Sequence, residues 1–214
     1  MFLAMLRTQW RWCRGVVAPG TALALALPFL MLHGVGPTML PSDVMQGVGS
    51  WSNLFPMLAA LLGLLTALGT WAPDRRGQHV HALTLPLARW RYVLLRFAGG
   101  VTLLAAPMLA CLLGALIATR LTALPVGLAP YPWSLSFRFA VGIILAFSLF
   151  FAILAGTPRT AALVLGTLLL LVVADVGLAI VAPRVGIAND LVAAIMAGPG
   201  PLALFAGRWM LVDV

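Results

Sequence analysis

The 214-residue chain contains no lysine and no glutamate; its thirteen basic residues are all arginine and its five acids all aspartate. A phosphate-binding P-loop requires its lysine, so ATP hydrolysis by that route is excluded for this chain. Glutamate-dependent zinc proteases of the H-E-x-x-H kind fall to the same census. Cysteine is almost as scarce: Cys13 precedes the first apolar run and Cys111 lies in the middle of a later one. The two cannot easily meet, and neither a disulfide framework nor a cysteine metal site follows. Charge of either sign is sparse, at 8% of residues against 63% hydrophobic, with a mean hydropathy of +1.09. No water-soluble domain of this size has that balance.

What the chain has in abundance is apolar length. A spanning helix needs roughly 20 mainly apolar residues, and five segments meet that: Val16 to His33, Asn53 to Trp71, Val93 to Thr119, Leu135 to Ala155 and Thr160 to Ala182. A further stretch, Leu191 to Phe205, is shorter and is interrupted by Gly198, Pro199, Gly200 and Pro201, which cannot continue a helix without unsatisfied backbone groups. It reads as a broken sixth crossing or a re-entrant hairpin. The expected fold is all-α: one polytopic membrane bundle over 1–214, with five to six crossings and a broken or re-entrant segment over 183–214.

The net charge of +8 is not a nucleic-acid footprint, because its arginines gather at the ends of apolar segments, where they fix topology. Arg7, Arg11 and Arg14 precede the first crossing; Arg75, Arg76, Arg89, Arg91 and Arg96 surround the second connector; Arg159 follows the fourth crossing. Alternating helices put all of these on one side. The other side receives Arg120, Arg138 and Arg184 with Asp43 and Asp190. The positive-inside rule then places the N-terminus and the 73–92 connector in the cytoplasm. Within residues 1–14, Leu3, Leu6, Trp10 and Cys13 share one helical face and Arg7, Arg11 and Arg14 a neighbouring stripe, the pattern of an interfacial helix with arginines reaching phosphates. A charged flank of the first crossing and a signal peptide are the other readings.

Several chemistries find no constellation. The G-V-G-S at Gly47 to Ser50 sits in a loop with only His33 nearby, which does not make a serine protease. His79 and His81, two apart in the connector, cannot ligate haem as a helical pair and read as a solvated polar turn or a surface metal pair. Asp175 is the one acid inside a crossing, where a carboxylate is costly unless paired, hydrated or protonated. It is either a path or proton-carrying residue, or a side chain near the outer interface bonded to a neighbouring helix. Ala98, Thr102, Ala106, Ala110, Gly114 and Ala118 recur every fourth residue, a small-residue stripe open to bundle packing, a dimer interface or composition alone. Pro28, Pro56 and Pro107 are expected to kink their helices.

The connector itself reads WAPDRRGQHVHALTLPLARWRYVLLRF from Trp71 to Phe97. Pro86 lacks an amide and suits a first helical turn, so a rigid helix could run from it through Arg89, Arg91 and Arg96 into the third crossing. An acidic and basic cluster, a glycine, a leucine, then L-P-L-A-R and a basic-aromatic helix entry resembles the first cytoplasmic loop of type-2 ABC transporter permeases. The matching positions are Asp74, Arg75, Arg76, Gly77, Leu83, Leu85, Pro86, Leu87 and Arg89; Asp74 stands where that family usually has glutamate, and His79, Val80 and His81 replace a Thr-Leu-Glu-Leu-like stretch. The resemblance implies a coupling loop that docks on a separate P-loop ATPase subunit, which would carry ATP and magnesium, and a second permease subunit, as homodimer or heterodimer. This chain would then hold no catalytic, cofactor or metal site and would sit in a bacterial inner membrane as part of an exporter. A non-transporting scaffold or assembly subunit, binding a partner or anionic lipid through the basic loop, and a proton-coupled carrier using Asp175 remain as alternatives.

Overall fold

The computed structural model describes residues 2–52, 54–76, 88–156, 158–181 and 212–213. Among the described residues, six helices and two short strands follow in order: α1 (Phe2–Met31), α2 (Pro41–Ser52), α3 (Leu54–Arg76), α4 (Arg89–Leu121), β1 (Ala129–Pro130), α5 (Pro132–Ala155), α6 (Pro158–Val181) and β2 (Val212–Asp213). Four helical stretches among the described residues are long and apolar enough to cross a membrane: Phe2–Met31, Pro41–Pro73, Trp90–Leu121 and Pro132–Ala155. Many large apolar side chains point outward on them, including Leu3, Met57, Leu61, Leu109, Leu113 and Leu149. In water that surface would drive aggregation, whereas in hydrocarbon it costs nothing. The chain is an integral membrane protein.

Two compact units divide the chain: residues 1–152 with 209–214, and residues 153–208. In the first, α1 packs most extensively on α4 and next on α3. Gln9 lies against Arg96 and Gly99, and Leu25 against Gly114, so α1 and α4 run parallel. Cys13 touches Thr66 and Gly69 while Gly20 touches Leu62, so α3 runs antiparallel to α1. Phe55 meets Phe139 and Trp71 meets Phe151, which makes α5 parallel to α3. The helices therefore alternate in direction, and the N-terminus of α1, the C-terminus of α3 and the N-terminus of α4 share one end of the bundle. The 77–87 connector leaves from that end. In the second unit, α6 is a 24-residue apolar helix that begins at Pro158, a first-turn proline.

Membrane helices keep most of their polar side chains satisfied internally, and here several hydroxyls do so against their own backbones. Thr21 donates to the Val17 carbonyl at 2.7 Å, Ser136 to Pro132 at 2.8 Å and Ser148 to Ile144 at 2.7 Å. Residues 2–14, expected as an interfacial helix apart from the first crossing, are continuous with it: α1 runs unbroken through Pro19 and Pro28 for 30 residues. Pro56 falls in the first turn of α3, where its missing amide breaks nothing, and α4 continues through Pro107. Beyond the far end of α1, Gly34 takes a φ of 83° in the turn that follows the helix, a left-handed conformation that suits glycine.

Close approach between helices is concentrated at glycines. A Cβ on Gly63 would sit 2.7 Å from the Phe147 amide nitrogen, and one on Gly69 would sit 2.6 Å from Cys13 Sγ. Gly15 is the opposite case, with open space around its missing Cβ on the exposed side of α1. Gly15→Ala is expected to stabilise the protein by about 0.5–1 kcal/mol, because it removes backbone entropy and meets no neighbour. Thermal unfolding in detergent, read by tryptophan fluorescence, checks it.

Candidate functional site

The coupling-loop residues divide between the two helix ends and the connector. Asp74, Arg75 and Arg76 form the last turn of α3 and Arg89 the first residue of α4, although their side chains lie outside the described residues. Gly77, Leu83, Leu85, Pro86 and Leu87 lie outside the described residues altogether, as do His79, His81 and the 182–211 segment with its GPGP run. Asp175 lies in α6, with its side chain likewise undescribed.

What the described residues place near the C-terminal end of α3 and the N-terminal end of α4 is a buried polar cluster on three helices. Arg96, read from sequence as a topology-fixing residue, is 6% exposed and turns inward between α3 and α4. Its Nη1 donates to the Thr70 carbonyl, and its guanidinium carbon lies 5.4 Å from the centre of the Trp71 ring and 5.0 Å from that of Tyr92. Tyr92 and Arg96 are one turn apart on the same helix, so both face α3. Stacking on aromatic faces and donating to a carbonyl are what the planar guanidinium does better than an ammonium.

Gln9 of α1 completes the cluster. It is 2% exposed, and its Nε2 donates to the Arg96 carbonyl at 3.0 Å. It reaches that carbonyl because residue 99 is glycine: a Cβ there would collide with the Gln9 amide. Gly100, its neighbour, leaves the space into which the Phe147 ring of α5 projects. The Gly99–Gly100 pair thus opens α4 to α1 and α5 in adjacent positions. Below Arg96, the Thr70 hydroxyl donates to the Thr66 carbonyl at 2.8 Å, and Cys13 Sγ lies 3.8 Å from the same oxygen. Gln9 Oε1, Thr66 Oγ1 and Trp71 Nε1 are buried in this cluster without a hydrogen bond.

An aromatic layer seals the cluster toward α5. Trp71 stacks on Phe151 at 5.1 Å, Phe97 contacts both Phe147 and Phe151 at 5.4 Å, and Phe147 and Phe151 are 5.5 Å apart. Arg96 therefore has apolar rings on one side and a polar, three-helix junction on the other.

The small-residue stripe is only half a packing face. Ala110, Gly114 and Ala118 are buried, with Gly114 against the Leu25 backbone, but Ala98, Thr102 and Ala106 are exposed. The reason is angular: a step of four residues advances about 40° round a helix of 3.6 residues per turn, so the five steps from Ala98 to Ala118 carry the stripe about 200° round it instead of keeping it on one face. Both cysteines are buried and free. Among the described residues no group of three or more His, Cys, Asp or Glu side chains could hold a metal ion.

Sequence reading did not single out Gln9, Trp71, Gly99 or Gly100. A signal for Arg96 was present in its position, inside the apolar run that starts at Val93 and three residues before Gly99. Compared with protein-family models, curated proteins and solved structures, the chain finds no match.

Proposed function

We propose that this chain is the membrane-spanning permease subunit of an ATP-driven ABC exporter, coupled to a separate ATPase through the connector after α3. The observation that carries the reading is that both ends of the connector run into one clamp: α3 brings Thr70 and Trp71, α4 brings Arg96, and α1 ties α4 through Gln9. A push on the connector would reach all three helices together, with α4 as a 33-residue rod into the bilayer.

In this reading ATP and magnesium bind the partner ATPase, two permease subunits pack around a path, and closure of the ATPases shifts the population between its two openings. The arginine-rich end faces the cytoplasm of a bacterial inner membrane, in keeping with the positive-inside rule. The α6 helix supplies a fifth crossing, and residues 2–14 run at the interface as the cytoplasmic extension of the first. The pairing of Val212 and Asp213 with Pro130 and Ala129, at the end of the bundle away from the α3 C-terminus, supports an odd number of crossings.

The test is substitution within the connector. Changing Leu83, Pro86 and Leu87 together to alanine is expected to abolish stimulation of the partner's ATPase and ATP-driven transport while the protein still folds and inserts. Unchanged transport would sink the reading. Purification from the native host in gentle detergent should carry a P-loop ATPase in stoichiometric amount. Loss of a partner only when Arg75, Arg76, Arg89 and Arg91 are neutralised would point to the scaffold alternative.

A further inference from the structure

The outer face of α1 carries Arg7, Arg11 and Arg14, all exposed, within about 60° of arc and about 10 Å of helix length. Their depth is set by the neighbours. Gln9 beside Arg96 and Gly99, and Leu25 beside Gly114, put Arg7 level with Leu94 of α4 and Arg14 level with the turn around Thr102. Gly100 beside Phe147 then puts Arg14 level with Leu145 of α5. Leu94 is 54% exposed and Leu145 48% exposed, so at these levels α4 and α5 each present a leucine to their surroundings. An arginine stripe that borders apolar surface in this way is best met by an anionic headgroup at the membrane interface.

Asp43, the one acid whose side chain is described, cannot serve. It lies on α2, which follows the opposite end of α1, and there it accepts a hydrogen bond from Ser42. The face continues differently on the far side of Gly15. Ala18, Ala22 and Leu25, in line with the arginines, are exposed and apolar, so along its length the face changes from three guanidiniums to a shallow hydrocarbon strip. Trp10, exposed beside Arg7 and Arg14, adds an amphipathic ring of the kind that settles at headgroup level.

We propose that this face is a binding site for one anionic phospholipid, its phosphate held by Arg7, Arg11 and Arg14 and an acyl chain laid along Ala18, Ala22 and Leu25. Charge complementarity selects the head and the change of character after Gly15 selects a molecule with an apolar tail attached to it. Bidentate guanidinium–phosphate hydrogen bonds supply the recognition. The site is independent of the coupling reading, because it uses neither the connector nor a partner ATPase.

The full-length protein, purified in detergent with phosphatidylglycerol or phosphatidylcholine added, tests this by native mass spectrometry. Retention of one phosphatidylglycerol per chain is expected, with phosphatidylcholine lost under the same conditions. Each arginine near a headgroup contributes about fivefold in affinity, so Arg11→Gln alone should weaken retention by about that factor and the combined Arg7→Gln, Arg11→Gln, Arg14→Gln variant should abolish it. Arg120→Gln, at the exposed end of α4, should change nothing. Equal retention of the two lipids, or an equal loss on Arg120→Gln, would overturn the proposal in favour of general headgroup attraction. Full competition by glycerol phosphate, which has the head without the tail, would overturn it in favour of a small-anion site. If the triple variant fails to insert, the single Arg11→Gln change decides.

Discussion

Gly63→Leu is expected to abolish the folded bundle, and Gly63→Ala to cost about 2 kcal/mol in reversible unfolding in mixed micelles. The obstacle is backbone. A Cβ on Gly63 would lie 2.7 Å from Ala146 Cβ, 2.7 Å from the Phe147 nitrogen and 2.9 Å from the Ala146 carbonyl carbon, so α5 as a whole must retreat. Gly100 faces the same residue differently, because the atoms that a Cβ there would meet are all on the Phe147 ring. The two glycines therefore separate in a double-mutant cycle with Phe147→Leu. Shortening the ring should recover most of the cost of Gly100→Ala, with a coupling of about 1–2 kcal/mol, and should recover almost none of the cost of Gly63→Ala. Equal rescue of both would mean that α5 does not approach α3 through its backbone and that the helix spacing described above is wrong.

The helix spans were legible in the sequence because apolar length is the one signal that a bilayer enforces. The window Val93 to Thr119 became α4 (Arg89–Leu121), and Leu135 to Ala155 became α5 (Pro132–Ala155). The faces were not legible in the same way. In a soluble helix the polar side points to water and the pattern gives the orientation away, but here both the core and the surroundings are apolar. Counting fours from Ala98 to Ala118 meets one of the close approaches, Gly114, but passes over the other two, Gly99 and Gly100. Arginine position carried the same ambiguity. Arg96 and Arg91 read alike at a helix entrance, yet Arg91 is exposed over Trp90 at 5.1 Å and Arg96 turns inward over Trp71. Only a helical wheel centred on Tyr92, Arg96 and Gly99–Gly100 separates them, and that wheel has meaning only once the neighbours of α4 are known.

Arg96→Met is the second large change. It removes the hydrogen bond to the Thr70 carbonyl and the stacking on Trp71 and Tyr92, while the methionine keeps most of the volume. A hydrogen bond from a charged donor is worth about 1.5–3 kcal/mol and a desolvated cation over a ring up to about 2. Against this stands the desolvation of the guanidinium, which disappears with the charge. The net expected loss is about 2 kcal/mol, measured by unfolding in mixed micelles, with Arg96→Lys falling between because an ammonium neither stacks flat nor forks. Gln9→Met gives the contrast. It loses the bond to the Arg96 carbonyl but also removes the buried, unpaired Oε1, and neutral interhelical bonds in a membrane average only about 0.6 kcal/mol, so its effect should stay below about 1 kcal/mol. If Arg96→Met instead raised stability, the desolvation cost would outweigh every contact that Arg96 makes. The arginine would then be held there at a loss, and a tie that weakens the resting bundle could not be the element that keeps the connector's two helices moving as one.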